Sequence, residues 1–314
     1  MRAIPQAITP MASLMKSPFR WMLILAACCM ASSVAVAVEK IQVTASFSIL
    51  GDLVRVVGAE RVSVTTLVGP DEDAHVFEPK PADAKRILAS ALLVTNGLGF
   101  EPWMKRLVAS SGYKGTVLEA SNGITARKMP AEGGSGAMET DPHAWQDPAN
   151  VIFYVHNIAV ALSKLDAKGA DAYQRNADAY VKELQVMDAW AKVQLNAIPL
   201  QKRKVITSHD AFGYFAAHYG VTILAPQGIS TEMEPSAKDV AKLIRQIQQE
   251  KIKAVFLENM SNPKLIGQIA KDTGVTLGPA LFVDALSKES VEGSTYLKLM
   301  RHNVSSLVPG MAKN

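Results

Sequence analysis

Short runs rich in Val, Ile, Leu and Thr alternate along this chain with stretches of helical periodicity. The candidate strands are 41–46, 62–68, 92–95 and 116–119 in the first half. In the second half they are 204–207, 221–224, 254–257 and 280–283. Most are continuous apolar runs, which suits parallel strands covered on both faces. Strand–helix alternation of this kind predicts an α/β protein of two open, mostly parallel sheets. The 314 residues are enough for two modest domains.

Helix boundaries are marked by residue chemistry. Asp147-Pro148 sets an N-cap before a proline at the first helical position, and Val151, Ile152, Val155, Ile158, Ala159 and Leu162 follow on one face. Asn262-Pro263 repeats the device, with Leu265, Ile266 and Ile269 behind it and Gly274 as the stop. Pro235-Ser236 opens a third, carrying Val240, Leu243, Ile244 and Ile247. Between the halves, residues 171–198 hold neither Gly nor Pro, and Tyr173, Ala177, Tyr180, Leu184, Met187 and Trp190 recur at three- and four-residue steps. That predicts one helix of roughly 40 Å at 1.5 Å per residue. The expected organisation is a leader over 1–37, a lobe over 38–170, a linking helix over 171–198 and a second lobe over 199–314. The Gly- and Ser-containing stretch 129–140 reads as a loop, and Tyr296–Met300 as a short helix.

The first forty residues read as an export signal. Arg2, Lys16 and Arg20 precede the apolar run 21–30, and Ala35-Val36-Ala37 supplies a small-residue cleavage site. The apolar run falls short of the about 20 residues that span a bilayer. Cleavage after Ala37 predicts a soluble periplasmic protein; Leu25-Ala26-Ala27-Cys28 also resembles a lipobox, which would anchor the chain through Cys28. The only cysteines are Cys28 and Cys29, so cleavage at Ala37 leaves neither a disulfide nor a thiolate metal site. Of 33 basic residues three lie in the leader, leaving 30 against 29 acidic ones. With no basic cluster, a nucleic-acid partner is excluded.

Four residues stand apart by position. His75 follows the second strand through Gly69-Pro70-Asp71, and His143 directly precedes the helix capped at Asp147. His209 follows 204–207, and Asp284 follows 280–283. Strand carboxyl ends in open α/β sheets meet at a crevice where ligands bind. Two of the four come from each half, so facing lobes would bring them together in an interlobe cleft. Three imidazoles and one carboxylate suit a tetrahedral Zn²⁺ and admit manganese or iron. Taken singly, each has a structural explanation: a histidine at a helix start can bond backbone, and an Asp after a strand is a common turn residue. His156, His218 and His302 read as structural. Asp210 and Glu258 are candidates to orient a ligating ring from behind.

The motifs 69–71 with 75–79 (GPD…HVFEP), 141–145 (DPHAW), 207–215 (TSHDAFGYF) and 228–236 (GISTEMEPS) together resemble the zinc/manganese solute-binding proteins of bacterial ABC importers. The resemblance spans nearly all of the chain beyond the leader. It implies two α/β lobes joined by one long helix, with metal in the cleft. It places His75, His143, His209 and Asp284 on the family's ligand positions. It further implies a partner permease and ATPase, a monomeric binder, and in some relatives a periplasmic metallochaperone. Manganese-binding relatives commonly carry glutamate where this chain has His209, so the resemblance points to zinc, with manganese as the alternative. The His-rich loop of many zinc members is missing from 129–140. An enzyme reading finds no support: the chain has no H-E-x-x-H, G-x-S-x-G or paired-carboxylate motif, and four protein ligands leave a tetrahedral zinc no open position. A surface adhesin on the same scaffold is the remaining rival.

Overall fold

The structure, a computed structural model, describes residues 39–131, 137–226, 228, 231, 236–289 and 291–314. The expected leader, its cleavage site and Cys28 lie outside these residues, as do Pro235 and most of the 228–236 motif.

Strands β1 (Ile41–Ala45), β2 (Val62–Thr66), β3 (Leu92–Thr95) and β4 (Thr116–Glu119) form a parallel sheet in the order β2-β1-β3-β4. Helices α1 (Ser48–Gly58), α2 (Pro81–Leu88) and α3 (Met104–Ser111) connect them. A hairpin, β5 (Lys128–Pro130) with β6 (Met138–Thr140), is antiparallel. Helix α4 (Pro148–Leu165) is followed by α5 (Ala170–Asn196), the expected long helix, 27 residues in length. A second parallel sheet contains β7 (Lys204–Ile206), β8 (Thr222–Leu224), β9 (Ala254–Val255) and β10 (Thr276–Leu277) in the order β10-β9-β7-β8. Its helices are α6 (Gly213–Tyr219), α7 (Ala237–Glu250) and α8 (Pro263–Thr273), and α9 (Tyr296–Ala312) closes the chain.

Each sheet has the strand that comes first in sequence inside, the second on one side, and the third and fourth on the other. The strand order therefore reverses between β1 and β3, and again between β7 and β9. Such switch points are where open α/β sheets bind ligands.

Local chemistry explains the element ends. Asp147 caps α4 by accepting the Ala149 N–H at 2.8 Å, and Asn262 caps α8 through Lys264 N–H at 3.1 Å. Gly274 ends α8 at φ +71°, a left-handed turn that glycine enters without steric cost. Tyr173, Ala177, Tyr180, Leu184, Met187, Ala191 and Leu195 form the buried stripe of α5. One hydrophobic core runs beneath both sheets, from Val43 and Leu93 through Trp145 and Leu184 to Val205, Phe256 and Leu307. A smaller cluster of Ile206, Leu243, Ile247, Val255, Ile266 and Ile269 fills the other face of the second sheet.

Three expectations are corrected. Residues 280–283 are not a strand: they make a single bridge, Leu281 to Glu258. The Asn303 side chain takes over the Phe282 backbone, accepting its N–H at 2.9 Å and donating to its carbonyl at 2.6 Å. The fourth strand of that sheet is instead Thr276–Leu277. The flanks of the expected 129–140 loop pair as the β5–β6 hairpin. The last helix is far longer than Tyr296–Met300: it runs 17 residues and accommodates Pro309 in its final turn. Its buried face of Tyr296, Leu299, Met300, Val304, Leu307 and Met311 offsets the bond that the proline cannot make.

Candidate metal centre

The structure brings the four sequence-selected residues to one point. One donor atom each from His75, His143, His209 and Asp284 lie within 4.8 Å of one another. His75 Nε2 and His209 Nε2 stand 3.2 and 3.1 Å from Asp284 Oδ2. His143 Nε2 is 3.3 Å from His75 Nε2 and 4.0 Å from Asp284 Oδ1. A tetrahedron of donors at zinc-ligand bond lengths has edges of about 3.3 Å. The observed separations therefore bracket what one small cation requires. His143, His209 and Asp284 are fully buried, and the His75 side chain is nearly so. His209 Nε2 and both Asp284 oxygens make no hydrogen bond among the described residues. Buried polar atoms are nearly always satisfied, so these three fit donors aimed at a cation.

The three histidines are held from behind. The His143 ring faces Asp141 Oδ1 through Nδ1 at 3.0 Å, and that oxygen also accepts the His143 backbone N–H at 3.0 Å. The His209 Nδ1–H donates to Glu258 Oε2 in a very short contact. Glu258 also accepts the Ser208 and His209 backbone N–H groups at 2.9 and 3.1 Å, and the Ser261 hydroxyl at 3.1 Å. With Nδ1 protonated and bound to a carboxylate, Nε2 keeps its lone pair for a metal. His75 is placed by its backbone N–H on Asp73 Oδ1 at 2.8 Å, and Phe100 meets its ring edge-on at 4.7 Å.

The turn bearing His143 is pinned on two sides. Asn96, just past β3, donates to the Pro142 carbonyl at 2.9 Å and accepts from the Tyr154 hydroxyl at 2.6 Å. Trp145 Nε1 and Gln146 Nε2 both donate to the Val283 carbonyl, at 3.0 and 3.1 Å, which ties this turn to the residue before Asp284. Behind it, Glu101 accepts from the Ser46 hydroxyl at 2.5 Å and the Asn96 N–H at 2.7 Å. Burial pushes its carboxyl up to about 7, against the pull of those donors.

The electrostatics match a cation site. Burial drives the Asp284 carboxyl upward, yet the charges of the His209 and His143 rings beside it hold it well below the usual range. Burial also opposes charge on His209, but Glu258 and Asp284 hold its ring well above the ordinary value. A buried carboxylate with no Lys or Arg partner among the described residues, ringed by three imidazoles, is arranged to be compensated by a cation.

Of the two candidate orienting acids, Glu258 holds a ligand ring and Asp210 does not. The Asp210 carboxyl is raised by burial and by Asp141, and makes no hydrogen bond to a ligand among the described residues. Asp141 takes that place for His143. The Asp-x-His spacing carried the signal, since a carboxylate two residues before a histidine can fold back on both its backbone and its ring. Ser208, His209 and Asp210 form no relay. A cavity of about 800 Å³ opens between β10 and α9, lined by Phe256, Leu277, Arg301 and His302; none of the four donors lines it.

Comparison with known proteins finds metal-binding relatives along nearly the whole described chain. The family model for the periplasmic zinc-uptake complex component A matches residues 43–310. The manganese-binding lipoprotein MntA of Halalkalibacterium halodurans is 33% identical over 275 residues, covering 88% of this chain and 90% of that protein. The Mn-bound periplasmic metal-binding protein of Candidatus Liberibacter asiaticus superposes with a TM-score of 0.77 at 30% identity, over 87% of this chain and all of that one. The periplasmic zinc-binding protein TroA of Treponema pallidum gives 0.82 at 27% identity, over the same shares. These are solute-binding proteins rather than enzymes, and the chain belongs to their family, the substrate-binding proteins of metal ABC importers.

Proposed function

We propose that this protein captures a divalent transition-metal ion outside the cytoplasm through His75, His143, His209 and Asp284 and passes it to the permease of an ABC importer. The observation that carries this reading is the buried convergence of three Nε2 atoms and one carboxylate, with hydrogen-bonding capacity left over on the donors. In this reading the lobes 38–170 and 199–314 flank the metal, and the helix over 171–198 links them.

Manganese is the cargo that the relatives favour. The MntA proteins of H. halodurans and Bacillus subtilis, 33% and 31% identical, are both named manganese-binding. Zinc is the second reading. It is supported by the donor set itself, since three imidazoles with one carboxylate at tetrahedral spacing suit zinc, whereas carboxylate-rich sites suit manganese. Metal-stripped protein offered equal Zn²⁺ and Mn²⁺, desalted and measured by elemental mass spectrometry, decides between them. One ion per chain, lost in the His75→Ala, His143→Ala and His209→Ala variants, supports capture. Retention of neither ion would overturn it.

The lipoprotein names of the relatives also favour attachment through Cys28 over release after Ala37. The mass of the mature N-terminal peptide distinguishes the two.

A further inference from the structure

His218 stands outside the metal centre and touches none of its four residues. Its ring lies between two carboxylates: Nδ1 is 3.1 Å from Asp147 Oδ1, and Nε2 is 2.8 Å from Asp188 Oδ1. A neutral imidazole has one N–H, so its second nitrogen would turn a lone pair toward a carboxylate oxygen. Only the imidazolium satisfies both contacts.

The three residues sit on the three parts of the chain that must keep register around the metal. His218 is near the end of α6, which begins four residues after His209. Asp147 caps α4 and closes the turn that begins at His143, through Gln146 N–H to the His143 carbonyl at 3.1 Å and its own N–H to the Ala144 carbonyl at 3.2 Å. Asp188 is in the middle of the long helix α5, where Lys192 also pairs with it at 2.7 Å. We infer that His218 is a positioning residue, an imidazolium pin that ties the arm bearing His209 to the arm bearing His143 and to the long helix, and so slows metal exchange. The inference rests on the metal-capture reading above.

The charged groups facing the ring are Asp147 from the α4 cap and Asp188 with Lys192 from α5. Tyr219 of α6 packs edge-on at 4.6 Å, and burial keeps its phenol neutral. With His218 protonated the group of four is neutral; without that proton it carries one net negative charge. The hydrogen bond to Asp147 raises the ring most, burial opposes it, and Asp188 adds to the rise. The folded value therefore lies above the unfolded value of about 6.5. The pin is fully present below that value and is lost as pH climbs through the folded one. The ligand imidazoles act in the opposite sense, since they must lose protons to bind metal. Metal retention should accordingly fall on both sides, with an alkaline limb that belongs to His218.

The test uses the full mature chain. Histidine ring titration by NMR gives the His218 value. Release of Zn²⁺ and, in parallel, Mn²⁺ to a chelator is timed from pH 6 to 9 in wild type, His218→Gln and Asp188→Asn. His218 should titrate above 6.5, and wild-type release should speed up through that value by about 1.5- to fivefold, as expected for a partly exposed ion pair. His218→Gln should lack this limb, and Asp188→Asn should move it to lower pH. A residue that merely packs would change the melting temperature and leave the limb intact. A His218 value at or below 6.5, or an unchanged limb in His218→Gln, would overturn the inference. If His218→Gln does not fold, the shift in Asp188→Asn carries the test. If neither metal binds, the capture reading fails by itself. The pin is then judged by the NMR value and by thermal stability, which should decline through it in wild type alone.

Discussion

Replacing Glu258 by Gln tests how far the carboxylate behind His209 sets affinity. The residue is buried, and both oxygens accept: one takes two backbone N–H groups, the other the His209 ring and the Ser261 hydroxyl. A glutamine keeps one oxygen for the backbone and turns an NH₂ toward the ring. That NH₂ faces His209 Nδ1–H, so the ring is driven to the other tautomer, with its proton on the nitrogen that must hold the metal. A hydrogen bond to a charged group contributes about 1.5–3 kcal/mol and a neutral one about 0.5–1.5, so the exchange costs about 1–2 kcal/mol. That converts to a roughly five- to thirtyfold weaker Kd, within the about 10- to 100-fold seen for partners of metal ligands. The loss should depend on pH. In metal-free wild type the raised His209 holds a proton that the incoming ion must displace. Glu258→Gln lowers that value and relaxes the competition. The affinity gap should therefore be wider at pH 8 than at pH 6, and fewer protons should be released per ion. Calorimetry in two buffers of different ionisation heat measures both. Equal affinity and equal proton release in the two proteins would refute the reasoning.

Three further outcomes follow from the same geometry. Lowering pH from 7.5 to 5.5 should weaken metal binding at least tenfold as the ligand imidazoles take up protons; a flat chelator-competition curve would exclude a three-histidine site. Gly213→Ala should weaken binding by about tenfold while leaving far-UV dichroism unchanged. A Cβ there would sit 2.4 Å from Asp141 Oδ2 and displace the carboxylate that holds His143. Asn303→Leu should lower stability by about 2–4 kcal/mol in thermal or urea unfolding, because it strands the buried N–H and carbonyl of Phe282; a loss below 1 kcal/mol would show that this backbone finds other partners.

Most of the fold was legible because its signals are local and repeated. Seven of the eight apolar runs contain strands, and the capped Asp147-Pro148 and Asn262-Pro263 starts are where the helices begin. The exceptions have long-range causes. Phe282 belongs to an apolar run, but its backbone is served by Asn303, 21 residues away, which no periodicity reveals. The two-residue strand Thr276–Leu277 is defined by its neighbour Val255 rather than by its own composition. Serines and Pro309 hid the length of the last helix, whose stability comes from its buried face. His75, His143, His209 and Asp284 were singled out by their places after strands and before helices, and the structure brings their donor atoms together. The role of Asp141 went unread although its place two residues before His143 was the available signal, because only the folded turn returns its carboxylate to that ring. The charged bridge at His218 also went unread, since its partners lie 71 and 30 positions away in sequence and share no motif with it.

The core that passes unbroken beneath both sheets has a bearing on how long the protein survives. Trp145, Leu184 and Phe256 share that interior, which couples the opening of one half to the other, while loops and chain ends open locally. Both cysteines lie at 28 and 29, and no covalent crosslink slows that opening. Cargo then acts as the missing staple: an ion at a thousand times its Kd adds about 4 kcal/mol to the native state. An empty protein would be degraded sooner than a full one, and its abundance would track the supply of the metal it carries.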